Sequence, residues 1–128
     1  MKLLFDTHAF IWWDSEPSRL SSRVLALCQD RTNSLYLSVA SVWEMQIKSQ
    51  LGKLKLNTPL DELVRRQQEV NGVELLPVLL DHVLTLRDLP SHHRDPFDRL
   101  LIAQTVVENA TLVTHDPLVA KYPVRVVF

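Results

Sequence analysis

The chain has 128 residues, 46% of them hydrophobic and 23% charged, with a formal net charge of −1. That balance suits one packed domain over residues 1–128 and excludes a disordered or fibrous polymer. Near-neutrality excludes holding a nucleic acid through bulk positive charge, so any polyanion must be gripped locally.

Short apolar runs at Lys2–Phe5, Leu35–Val39, Glu74–Val78, Thr111–Thr114 and Val124–Phe128 predict strands, and their lack of polar alternation predicts burial on both faces, as in a parallel sheet. Helices are expected between them. The first connection carries Ala9–Trp13 and Arg19–Gln29, the second Ser41–Leu51 and Leu60–Val70, the third Asp81–Leu89 and Pro96–Glu108. In the Ser41–Leu51 region, Ala40, Trp43, Ile47 and Leu51 recur at helical spacing as one apolar stripe. The polar Leu60–Val70 segment is expected to project as a lateral arm. Strand and helix alternate, so the fold class is α/β, a three-layer α/β/α domain with right-handed crossovers.

The two glycines, Gly52 and Gly72, cannot build a GxGxxG or GxxxxGK phosphate loop. Cys28 has no disulfide partner or zinc spacing and reads as a small apolar residue in a reducing cytoplasm. No apolar run approaches the ~18 residues of a membrane span, and the first residues lack a signal-peptide pattern. A soluble, unprocessed, cytoplasmic chain without a membrane partner is expected.

Four acids share one edge of such a fold. Asp6 ends the first strand, Glu44 follows Ser41 by three residues, Asp98 lies in the turn opened by Asp95-Pro96, and Asp116 follows the fourth strand. Crossover helices run antiparallel to the strands, so helix starts and strand carboxyl ends meet at the same rim. Each acid also has a structural reading: Ser41 with Glu44 fits a capping box, and Asp95-Pro96 and Asp116-Pro117 fit an N-cap followed by proline. Yet carboxylates about 4 Å apart repel by about 4 kcal/mol at an effective dielectric near 20, a large share of a domain's stability. A cation between them resolves this, and hard oxygen ligands favour Mg²⁺ or Mn²⁺ over zinc. Such an ion suits hydrolysis of a phosphodiester. Among the histidines, His82 reads as a packing or surface residue, and His92-His93-Arg94 as a solvated loop more than a substrate contact. Trp43 reads as core more than as an oligomer surface or base-stacking platform, and the adjacent Trp12-Trp13 pair divides evenly between those readings.

The blocks KLLFDTHAFIWW, SVASVWEMQIKSQLGKLKL, HHRDPFDRLLIAQ and TLVTHDPLV resemble, in order, those of PIN-domain ribonucleases, above all VapC-type toxins of bacterial toxin–antitoxin pairs. The resemblance spans nearly the whole chain. It implies a five-stranded parallel sheet of order 3-2-1-4-5 and a Mg²⁺- or Mn²⁺-dependent endoribonuclease acting on RNA. It further implies a homodimer and neutralisation by a small VapB-type antitoxin. The family's acidic set falls on Asp6, Glu44, Asp98 and Asp116 as catalytic and metal-binding residues. Thr7 and Thr114 occupy the hydroxyl positions beside the first and last acids, either orienting a ligand or serving as a cap and a strand hydroxyl. Lys48, one turn after Glu44, either pairs with it or touches a phosphate; Arg99 either contacts RNA or packs internally. Asp95 is a cap or an outer ligand. Where many relatives carry glycine before the fourth strand this chain has Asn109-Ala110, and Asn109 serves as a left-handed helix terminator. Two other readings are a non-catalytic PIN scaffold and a phospho-receiver domain. The second lacks an acceptor aspartate after the third strand, which ends Leu76-Pro77-Val78.

Overall fold

The computed structural model describes residues 1–128. Strand β1 (Lys2–Phe5) lies at the centre of a parallel sheet, flanked by β2 (Ser34–Ser38) and β4 (Thr111–Val113), with β3 (Glu74–Leu76) and β5 (Arg125–Val127) at the edges. The order is 3-2-1-4-5 and all four pairings are parallel. It differs from the 2-1-3-4-5 order of receiver domains, which removes that reading.

The inner strands β1, β2 and β4 face cores on both sides as expected, but the edge strands β3 and β5 do not: Leu75 and Val126 are exposed because the helix layers do not fully cover the sheet's edges. Leu3 and Phe5 of β1, Leu35 and Leu37 of β2, and Val113 of β4 point into one cluster, completed by helices α1 (Thr7–Ser15), α2 (Ser22–Gln29), α3 (Val39–Gln50) and α4 (Leu60–Asn71). Leu4 and Leu112 point the other way, to Leu101 and Ile102 of α6 (Pro96–Val107), Val119 and Tyr122. The short helix α5 (Leu80–Thr85) precedes α6. The period-two side-chain alternation of a strand thus feeds two cores from one sequence run. No helix is long and apolar enough to cross a membrane.

Element identities agree with the sequence reading, but several boundaries move for local chemical reasons. Helix α3 starts at Val39, because the Ser38 hydroxyl accepts from the Ala40 N–H; Ser41 and Glu44 are therefore interior, not a capping box. The Arg19–Gln29 segment is broken: a 3₁₀ turn at Pro17–Arg19 ends before Ser21, whose hydroxyl caps α2 through the Val24 N–H. The expected stripe on α3 is corrected as well. Its buried side is Ala40, Ser41, Glu44 and Met45, whereas Trp43 and Leu51 are 64% and 63% exposed. Periodicity locates an apolar side but not a buried polar one, and α3 buries a polar side.

Helix α4 does not project freely. Leu63 enters the main core, and the nearly buried Asp14 carboxylate of α1 accepts from Arg66 at 2.7 Å and Gln67 at 2.8 Å. Gly72 ends α4 at φ 67° and Asn109 follows α6 at φ 52°, the left-handed terminator expected of it.

Candidate active site

The chain leaves β1 outward to β2 and β3, then crosses back to β4 on the other side of β1. The crevice at the carboxyl ends of β1 and β4 is therefore the topological switch point, where α/β sheets take ligands.

Asp6 sits directly at that point. Its Oδ1 accepts from the Ala9 N–H at 2.7 Å, capping α1, and its Oδ2 accepts from the Thr114 hydroxyl at 2.5 Å. Thr114 Oγ1 in turn accepts from the Asp116 N–H at 3.1 Å, so one hydroxyl ties the acids that follow β1 and β4. Glu44 reaches in from α3 and is 3% exposed. Its Oε1 accepts from Thr7 at 2.6 Å and its Oε2 from Lys48 at 2.7 Å, one turn on. The hydroxyl of Thr7 also lies 3.1 Å from that of Ser41. Asp98 stands in the first turn of α6, which Asp95 caps by accepting from Phe97 and Asp98 N–H groups.

His93 joins the last two acids. Its Nε2 lies 2.7 Å from Asp116 Oδ2 and 3.1 Å from Asp98 Oδ2. The Asp95 N–H donates to His93 Nδ1 at 3.1 Å, which leaves Nε2 to carry the ring proton toward the carboxylates. A second clamp, the His93 N–H donating to Tyr122 Oη at 2.8 Å, fixes the loop. The solvated-loop reading of His93 is thus corrected: the residue is half-buried among acids. The adjacent pair His92-His93 and the acidic DPFD that follows were the available signal, but spacing alone could not show that Tyr122 and Asp95 turn the loop inward.

The electrostatics of the group are those of charges crowded out of water. Burial pushes the Asp6 carboxyl above its ordinary value, against the lowering pull of the Thr114 and Ala9 hydrogen bonds, and the Asp116 charge adds to the rise. Burial likewise raises Asp98, to about 7, with the charges of Asp95, Glu44 and Asp6 adding and His93 opposing. Lys48 moves up because of its hydrogen bond to Glu44. Two carboxyls displaced toward neutrality beside two further acids are the donor set of a hard divalent cation, whose charge favours their ionised forms. His93 Nε2 and carboxylate oxygens of Asp98 and Asp116 lie within 4.8 Å of one another, the Nε2 proton between the two acids, while Asp6 and Glu44 stand outside that tight group. The residues present fit such an ion.

The structure brings Asp6, Glu44, Asp98, Asp116, Thr7, Lys48 and Thr114 together. It does not bring Arg99 to them: that guanidinium donates to the carbonyls of Pro90 at 2.9 Å and Leu86 at 3.2 Å, and to Tyr122 Oη at 3.3 Å. Lys48 takes the pairing role and Asp95 the capping role of their two open readings. His82 is fully buried and lies 2.9 Å from Glu108, as a packing residue does. Trp13 stacks on Phe5 at 4.9 Å between centroids, whereas Trp43 stands outside both cores, contrary to its expected burial.

A three-layer α/β/α domain with a carboxylate cup at its switch point is a defined class of α/β protein. The chain belongs to the PIN domain family, whose profile matches residues 3–124. It is 30% identical over 117 residues to Ribonuclease VapC22 of Mycobacterium tuberculosis (strain ATCC 25618 / H37Rv), covering 89% of this chain and 86% of that protein. Among solved structures, it superposes on a chain of VapBC2 from Rickettsia felis, a complex bound to a DNA fragment from its promoter. The TM-score is 0.75 at 16% identity, covering 99% of this chain and 98% of that one. VapBC-1 from nontypeable Haemophilus influenzae gives 0.61 at 17% identity, covering 99% and 97%. FitAcB from Neisseria gonorrhoeae gives 0.60 at 22%, covering 98% and 96%. At these identities the structural likeness is one of fold.

Proposed function

We propose that residues 1–128 act as one PIN domain, a Mg²⁺- or Mn²⁺-dependent endoribonuclease that works in the cytoplasm as the toxin of a toxin–antitoxin pair. The observation that carries this reading is the gathering of four acids from β1, α3, α6 and the end of β4, two of them pushed toward neutrality by burial. The relative named as a ribonuclease supports RNA as the substrate. The VapBC complexes among the fold neighbours support a small VapB-type antitoxin as the partner, and the family resemblance implies a homodimer as the working form.

In this reading Asp6, Glu44, Asp98 and Asp116 hold the cation. When bound, it supplies concentrated positive charge against phosphate oxygens and acidifies the attacking water. The remaining chemistry is positioning. Thr114 orients Asp6 through Oδ2, while the α1 cap holds Oδ1; Thr7 and Lys48 occupy one oxygen each of Glu44. His93 aims its Nε2 proton at Asp98 and Asp116, keeping the two acids side by side. Water attacks phosphorus in line, the bond to the 3′ oxygen breaks, and the products carry 5′-phosphate and 3′-hydroxyl ends.

Purified protein with Mn²⁺ or Mg²⁺ and an RNA pool tests the reading. Asp6→Asn keeps an acceptor for the Ala9 N–H, so α1 stays capped, while cleavage falls by about a hundredfold or more. Retained cleavage in that variant contradicts the assignment, as does wild-type cleavage that persists in excess chelator.

A further inference from the structure

Trp43 is the large aromatic side chain with the least reason to be where it is. An indole buries some of the largest apolar area available to any residue, yet this one is 64% exposed and belongs to neither core cluster. Its aromatic neighbour is Phe97, at 5.4 Å between centroids with planes 71° apart, also outside both clusters. An edge-to-face pair of this kind leaves the exposed indole without a partner on its remaining surface.

Placement gives the pair its meaning. Trp43 immediately precedes Glu44 on α3, and Phe97 immediately precedes Asp98 on α6. The aromatic edge therefore bridges the same two helices as two of the acids, one residue from each. Consecutive helical side chains diverge by about 100°, so the pair flanks the acids on the outer side of the two helices, with Glu44 turned inward.

Two of the cations near the cup are engaged within the protein, while Arg94, beside His93, is exposed. Lys48 is held by Glu44, and Arg99 by two carbonyls and Tyr122. With a net charge of −1 overall and Arg94 as the exposed cation beside His93, ionic grip on a phosphate backbone is weak, so contacts to the bases add needed affinity for a strand. Resting on the ribonuclease reading above, we propose that the Trp43–Phe97 edge is a stacking platform for a nucleobase flanking the scissile phosphate of single-stranded RNA. Paired bases are already stacked and hide their faces, so the platform selects unpaired RNA. The edge spans the two helices that carry Glu44 and Asp98, beside any strand that reaches those acids, which favours a substrate base as the occupant.

The test compares wild type, Trp43→Ala and Trp43→Phe with Mn²⁺, using a cleaved oligoribonucleotide and copies carrying an abasic residue at each position beside the cut. Trp43→Ala raises KM about tenfold, in the range of one lost base stack, with Mn²⁺ affinity by calorimetry unchanged; Trp43→Phe restores most of the loss. One abasic copy costs wild type a similar factor and costs Trp43→Ala nothing more. RNA binding also quenches wild-type indole fluorescence, and this quench is reduced in Trp43→Ala. An unchanged KM in Trp43→Ala, or abasic penalties equal in both proteins, overturns the platform. A substitution that shifts sedimentation while leaving KM alone makes the edge a protein interface and also overturns it. Failure of the nuclease reading looks different: no RNA is cut by wild type, while the Trp43-dependent quench by single-stranded RNA persists and sustains the platform.

Discussion

Asp98→Asn should stabilise the cation-free protein at pH 8 and leave its stability unchanged at pH 4. Asp98 is raised from 3.8 to about 7 by burial and by the neighbouring acids. A carboxyl raised on folding contributes nothing unfavourable below its unfolded value, since both states are then protonated. As pH rises from about 4 to 7 the unfolded chain releases the proton first, so stability is lost across that window and levels off above it. The shift corresponds to an upper bound of about 4 kcal/mol at ~1.4 kcal/mol per unit; with the side chain 27% exposed, solvent screening reduces this to about 2 kcal/mol. For a chain of this size that is about 7 °C in Tm. The amide oxygen that replaces the carboxylate still accepts from His93, so the swap removes the charge and keeps the contact. Thermal unfolding with chelator at pH 4 and pH 8 measures the difference between variant and wild type. Adding Mn²⁺ at about a hundred times its Kd should then raise wild type by about 2.7 kcal/mol and the variant by far less. A variant less stable than wild type at pH 8, or an equal offset at both pH values, refutes the reasoning.

Substitutions at three further positions probe two supports of the cup, Thr114 and Lys48, and the terminator at the far end of α6. Thr114→Val deletes the hydroxyl shared by Asp6 and the Asp116 N–H, pushes Asp6 further up, and weakens Mn²⁺ binding by about tenfold or more in calorimetry; equal affinity would show that the hydroxyl does no positioning. Lys48→Met strands the Glu44 carboxylate, 4% exposed, with Thr7 as its remaining donor, and should cost about 2 kcal/mol in urea unfolding; a loss under about 0.5 kcal/mol would reduce the pair to a surface contact. Asn109→Ala, at φ 52°, should cost about 1 kcal/mol, and Asn109→Gly only a few tenths, by the same assay. Equal losses would deny the backbone argument.

Much of the fold was legible because its signals are local. Five short, mostly apolar runs marked the strands, and Leu3-Leu4-Phe5 divides between the two cores as double burial demands, whereas the edge runs with Glu74 and Arg125 leave one face exposed. Helix starts were harder where two candidate caps compete. Ser38 and Ser41 look alike in sequence, and the choice of Ser38 follows from Ser41 being drawn to the Thr7 hydroxyl and Glu44 inward with it. The same inward turn defeated the stripe of Ala40, Trp43, Ile47 and Leu51. A helix that buries carboxylate and hydroxyl groups must present apolar ones to solvent, and hydrophobic spacing then points to the wrong side.

The acids illustrate why structural and functional readings of one residue need not compete. Asp6 caps α1, and Asp98 sits in the dipole-favoured first turn of α6 that Asp95 caps. Those are sound structural duties, and weighed residue by residue they explain the acids away. The carboxyl edge of a parallel sheet, however, is also where helix amino ends collect, so acids placed there for capping are brought together at no additional topological cost. What capping cannot explain is the remainder: Asp6 and Asp98 displaced upward by burial, Glu44 buried on a helix interior, and His93 turned inward to share a proton between Asp98 and Asp116. Helix termini need acids near solvent, where they are inexpensive. Acids kept in proximity and dehydrated cost stability in the cation-free protein, and a bound cation is what returns it.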